Sequence, residues 1–127
     1  LPTSHGHRTR YGQQHQLLAC LAQPWHTALV VDEGDVRRIC LGLPGVTERQ
    51  SWGRPAWFAR TQVARIWDDG VLTVKTEERD ALAAEDPDTY FWTPHHERHH
   101  HLLLVRMDRI DQPTLHELLL EAHRLAS

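Results

Sequence analysis

The chain is short of several things that would narrow its function quickly. It has two cysteines in 127 residues, Cys20 and Cys40. Twenty positions apart, they form neither a C-x-x-C motif nor a disulfide framework. No apolar run approaches the eighteen or so residues of a membrane span. The nearest, "QLLACLAQPWHTALVV", is interrupted by Gln23, Pro24 and His26 and lacks the flanks of a signal peptide. These absences lead to the expectation of a cytoplasmic protein with no membrane partner. There is no G-x-S-x-G, no P-loop and no G-x-G-x-x-G. Ser51 is the only serine between residue 32 and the terminal Ser127, and it has no glycine elbow. Cys40 falls on an apolar helical stripe, where a buried structural thiol is expected. The paired acids Asp68-Asp69 and Glu77-Glu78 fall in a turn and at a helix start. The sequence therefore predicts no catalytic residues, no cofactor and no enzymatic activity.

Acid is also missing in particular places. Residues 1–31 contain none, only Arg8 and Arg10. All seventeen acids lie in 32–127, against twelve of the fourteen basic residues, which leaves that segment at −5. An acidic domain repels polyphosphate unless its cations collect on one face. One stretch could supply them. No acid occurs between Arg49 and Trp67, where Trp52, Arg54, Trp57, Arg60, Arg65 and Trp67 interleave. Guanidinium forks suit phosphate and aromatic faces suit bases. The bland alternative has the tryptophans anchoring core edges and the arginines pairing with nearby acids.

Forty per cent of the residues are hydrophobic, enough for one domain with one core. Residues 1–31 show no sustained period. They read as an N-terminal extension, poorly ordered or with a short helix over 16–31, or as a mis-set start with Val30 or Val31 as the true first residue. From Asp32 the pattern sharpens. Asp32 can cap a helix whose Val36, Ile39, Cys40 and Leu43 share a face. Strands are predicted at 55–60, 63–68 and 71–75, joined by "TQ" and "DDG". A helix capped by Thr76 follows, then a short extended "TYFW" and a strand over 101–107. A last helix carries Pro113 in its first turn and a Leu115, Leu118, Leu119, Ala122, Leu125 stripe. The predicted fold class is α+β, a two-layer sandwich with an antiparallel sheet and helices on one face, in the order α-β-β-β-α-β-α.

Period-two reading separates the two faces of that sheet. Ile66, Leu72, Val74, Leu103 and Val105 are expected to meet the helices, leaving Arg65, Trp67, Thr73, Lys75 and Arg106 on the other side. The strand 55–60 is ambiguous, with Phe58 and Arg60 on one face and Trp57 on the other.

"HHERHHH", residues 95–101, holds five of the eleven histidines. It contains no H-E-x-x-H, and no dedicated metal site is expected. The tract reads as a solvated loop that gains charge below about pH 6.5 and tightens anion binding there.

"LGLPGVTE", "SWGRPAWFAR", "VLTVKTEERDALAAEDPDTYFWTPHH" and "LLLVRMDRIDQPTLHELLLEAHRLA" together resemble the MmcQ/YjbR family across 32–127. The resemblance implies a double-wing fold with a curved antiparallel sheet, and a DNA-binding-like role. The family's Gly-Lys between the first two strands is "TQ" here, so the lysine at that turn is absent. The nucleic-acid-binding residues expected are Arg54, Trp57, Arg60, Arg65, Trp67, Lys75 and Arg106. DNA is the expected partner. The alternative is a small anionic or aromatic ligand, or a protein, held by the same sheet.

Overall fold

A computed structural model describes residues 31–127. The expectations for residues 1–30 lie outside the described residues. Helix α1 (Glu33–Leu41) begins with a reciprocal capping box. The Asp35 amide donates to Asp32 Oδ1 at 3.1 Å and the Asp32 amide to Asp35 Oδ2 at 2.9 Å, satisfying two donors at the helix start. Val36, Ile39 and Cys40 are its buried stripe, and Gly42 closes it.

Four strands follow: β1 (Thr47–Ser51), β2 (Arg54–Phe58), β3 (Gln62–Asp68) and β4 (Val71–Lys75). After them come α2 (Arg79–Glu85), β5 (Tyr90–Phe91), a 3₁₀ turn at Pro94–His96, β6 (Leu102–Arg106), a second 3₁₀ turn at Met107–Arg109, and α3 (Gln112–Ala126). All pairings are antiparallel, and the sheet order is β1-β2-β3-β4-β6-β5. The fold class is α+β, as expected, with two edge strands added to the predicted order. The first is β1, whose sequence TERQS alternates no apolar residues. Its partner β2 makes it a strand, in register from Thr47↔Phe58 to Ser51↔Arg54. The second is the two-residue β5 inside the predicted "TYFW" segment, paired with β6.

Two local departures have physical causes. A bulge between Trp57 and Phe58 ends β2 two residues earlier than predicted, so the turn is made by Ala59–Thr61 rather than by "TQ". There the Ala59 amide donates to the Thr61 carbonyl at 2.9 Å. Thr76 does not occupy the N-cap of α2, which is Glu78. Its hydroxyl instead accepts from the Glu78 amide at 3.0 Å and donates to Glu121 Oε1 at 3.1 Å, tying the β4–α2 junction to α3.

The core lies between α1, α3 and one face of the sheet. Ile66, Leu72, Val74, Leu103 and Val105 supply the sheet side, as the period-two reading predicted. Leu115, Leu118, Leu119 and Ala122 supply the α3 side. Each fully buried aliphatic side chain contributes about 1.5–3 kcal/mol. Val31 and Leu82 also join this core. Among the described residues no helix is long and apolar enough to cross a membrane.

Candidate nucleic-acid interface: the outer face of the sheet

The strand registers define a row on the face opposite the core: Arg49, Ala56, Arg65, Thr73, Leu104 and Phe91, one per strand from β1 to β5. Along this outer face arginine repeatedly lies over an aromatic ring. The Arg49 guanidinium stands 3.9 Å from the Phe58 ring centre, that of Arg65 5.3 Å from Trp67, and that of Arg106 4.0 Å from Phe91. Such a cation–π contact holds the cation near the sheet while its N–H groups can still donate to other acceptors.

The expected site residues divide sharply. Trp57 is not on this face. It is fully buried on the helix side, with Nε1–H donating to Glu48 Oε1 at 2.9 Å. Its place in the expected binding set is therefore corrected: the hairpin buries its largest apolar side chain, and the indole N–H is satisfied there. Glu48 also accepts from Arg37 Nε at 2.8 Å, and these hydrogen bonds hold its carboxyl below the usual range. Arg54 reaches the outer side but is spoken for. Its Nη1 lies 3.0 Å from Asp69 and its Nη2 3.3 Å from Asp68. Arg60 is exposed on the β2–β3 turn. Arg65 is half-buried, donates from Nε to the Ser51 carbonyl at 3.2 Å, and has its pKa lowered by burial and by nearby Arg54. Lys75 is half-buried, bonds the Thr61 hydroxyl, and is likewise lowered by burial. Arg106 is half-buried and donates to the Asp88 carbonyl at 3.1 Å. Arg65, Trp67, Lys75 and Arg106 are thus brought to one side. A partly desolvated cation gains most from an incoming anion, because the water it has lost is not lost again.

The histidine tract is built differently from the expected solvated loop. His95, His99, His100 and His101 are exposed, but His96 is buried, and the difference comes from α2. Arg79, almost fully buried, donates from Nη1 to the carbonyls of His96 at 2.9 Å and His99 at 3.2 Å, and lies 3.8 Å from the Trp92 ring centre. The loop is wound around that one guanidinium. Its His96 ring then stands edge-on to Trp67 at 4.4 Å, and His95 lies 5.6 Å from the same indole. Because β4 and β6 separate β3 from β5, a β5–β6 loop that touches Trp67 must cross β4. Thr73, on the outer face of β4 between Arg65 and Leu104, is 2% exposed, and its hydroxyl has no partner among the described residues. His96 titrates below the ordinary histidine value of 6.5, first through burial and then through His95, His99, Arg65 and Arg79. Among the described residues no group of three or more histidine, cysteine or carboxylate side chains is arranged to hold a metal. Cys40 is buried, and burial pushes its thiol up to about 12.

A sequence model of the family described as YjbR matches residues 41–125. The chain belongs to the YjbR family. No curated protein and no solved structure matches it significantly. In this YjbR chain the "WG" pair is the β1–β2 hairpin tip, and "TPHH" opens the loop that crosses β4. Three features escaped the sequence reading. Arg49 belongs to the outer face, but its strand was not recognised. Arg79 is a loop organiser seventeen residues away from the histidine whose carbonyl it holds. Trp52 is 91% exposed, although every other aromatic of the β1–β3 segment has a partner. A recognised strand before "WG" would have marked Trp52 as a hairpin tip.

Proposed function

We propose that the protein is a non-enzymatic nucleic-acid-binding module that meets DNA with the outer face of its sheet. The observation that carries this reading is the run of arginines laid over aromatic rings, Arg49 on Phe58, Arg65 on Trp67 and Arg106 on Phe91. The strand residues of that face bring no carboxylate into the row. Asp68 and Asp69 sit at the hairpin end and are paired with Arg54. Glu48 and Glu121 point to the helix side, where they bond Trp57 and Thr76. The charge separation lets a chain of net charge −3 offer a basic surface. Among the described residues no α-helix packs on this face, so contacts from them would fall on phosphates and base surfaces rather than on a major-groove edge.

One observation favours a small anionic ligand as the second reading. Thr73, buried on this face and in register with Arg65, has a hydroxyl without a partner among the described residues. Salt separates the two. Fluorescence anisotropy of labelled DNA from about 20 to 200 mM salt should show saturable binding whose log affinity falls linearly with log salt. The exposed pair Arg49→Glu/Arg60→Glu should abolish it. Absence of saturable binding at the lowest salt would overturn the DNA reading and leave the ligand reading.

A further inference from the structure

Trp52 and Gly53 form a two-residue hairpin turn with φ of +57° and +79°. Both central residues are left-handed, the signature of a type I′ turn, which favours Asn-Gly. A tryptophan is a poor choice for the first position, since its Cβ crowds the following carbonyl and its bulky side chain offers none of the local hydrogen bonding that lets asparagine adopt this conformation. It recovers nothing by burial, being 91% exposed. The turn beneath it is firm: Ser51 pairs with Arg54, and the Ser51 carbonyl accepts from Arg65 Nε. A strained, exposed, rigidly mounted indole at the rim of a basic face requires a reason outside the fold.

The other aromatics on and around the outer face already have partners. Phe58, Trp67 and Phe91 each lie under an arginine, Trp67 is closed further by His96, and Trp92 lies under Arg79 and donates to Glu97. Among the described residues, Trp52 alone of these has a ring with no cation, aromatic or hydrogen-bonding partner.

We propose that Trp52 is a base-stacking residue and that the nucleic acid bound is single-stranded or locally unpaired. The proposal rests on the nucleic-acid reading above and adds the form of the ligand. An indole face takes any base, and the phosphates either side of that base would reach the rim where Arg49 and Arg65 stand. A duplex is the poorer fit. In a duplex every base is already stacked on its neighbours, so an indole at a hairpin tip must first unstack a step, a cost of a few kcal/mol that an unpaired strand does not carry.

The test uses the full chain and two variants, Trp52→Asn and Trp52→Phe, with labelled oligo(dT) and a hairpin duplex at about 20 mM salt. Asparagine suits the turn, so Trp52→Asn folds at least as well as the parent. Stacking of one base predicts that Trp52→Asn weakens oligo(dT) binding by about fivefold to a hundredfold. Trp52→Phe should restore most of it, and the duplex should bind more weakly than oligo(dT) to the parent. Unchanged oligo(dT) affinity in Trp52→Asn, with the parent binding well, would overturn the stacking role and leave the nucleic-acid reading intact. Tighter binding of duplex than of oligo(dT) would overturn the preferred ligand form. No binding of either by the parent would overturn the proposal together with the reading beneath it.

Discussion

The two faces of one sheet use the same residue types for opposite ends. On the helix face, Trp57 is sealed among aliphatic side chains and its one polar atom is bonded to Glu48. On the outer face, Trp67 is half-exposed, lies under Arg65, and meets a histidine ring instead of a leucine. The difference lies in what covers each face. Helices α1 and α3 bring apolar stripes, and burial follows. The loop over β4 brings polar groups, held down by one guanidinium rather than by apolar area. Core strength and an adaptable charged surface are thereby separated across the thickness of a single sheet.

The sharpest way to break this contrast is to truncate each side in turn. Trp57→Ala should cost about 3–5 kcal/mol, since it leaves a large cavity and strands Glu48 against the core edge. Urea unfolding would measure it, and a loss below about 1 kcal/mol would mean that Trp57 does not anchor the helix face. Arg79→Met should cost less, about 1–3 kcal/mol, because the freed carbonyls of His96 and His99 can turn to water. Its signature should be local: faster amide hydrogen exchange over 94–101 with protection in β3 and β4 retained. Loss of protection throughout the sheet would show that the loop is part of the core after all.

Acid should loosen the same loop. His96 has its pKa lowered in the folded state, so the folded protein resists a proton that the unfolded chain accepts. Its contribution is therefore fully present above the unfolded value near 6.5 and is lost as pH falls through the lowered folded value. Around the ring stand Arg65 from β3, Arg79 from α2, and His95 and His99 from its own loop, all of which oppose a further positive charge. Protection factors over 94–101, taken relative to the intrinsic exchange rate at each pH, should fall on going from pH 7.5 to pH 5.5, and His96→Gln should flatten that response (a roughly two-unit span centred on the ordinary histidine range). An unaltered pH response in His96→Gln would assign the effect to the exposed histidines. The smallest change is the one at the hairpin tip. Trp52→Asn should leave stability unchanged or raise it by about 1 kcal/mol, because the turn conformation suits asparagine.

Much of the helix face was legible in the sequence. The Asp32 cap, the spacing of Val36, Ile39 and Cys40, and the α3 stripe from Leu115 to Ala122 each follow from local periodicity, although Leu43 lies past the end of α1 and Ala126 rather than Leu125 closes the α3 stripe; the alternation in β4 and β6 assigned their faces correctly. The outer face was less legible, because its features depend on partners distant in sequence. β1 has no apolar alternation to announce it, being a polar edge strand held by β2. Trp57 sits beside a bulge, where the period-two count slips and the side of a residue cannot be read along one strand. The histidines look alike as a string. Only Arg79, reaching in from α2, distinguishes His96 from its neighbours. That Arg54 is neutralised depends on a turn, which brings Asp68 and Asp69 across from the far end of β3.

The central claim, that the outer face and not the helix face receives nucleic acid, can be tested directly on the tryptophan indoles. Trp52, Trp57, Trp67 and Trp92 report on the hairpin tip, the core, the arginine row and the loop in turn. In a ¹⁵N-correlated NMR titration with oligo(dT), the account predicts large shifts of the Trp52 and Trp67 indole signals while Trp57 stays fixed. Movement of Trp57 with Trp52 and Trp67 unmoved would place the ligand on the other side of the sheet and contradict it.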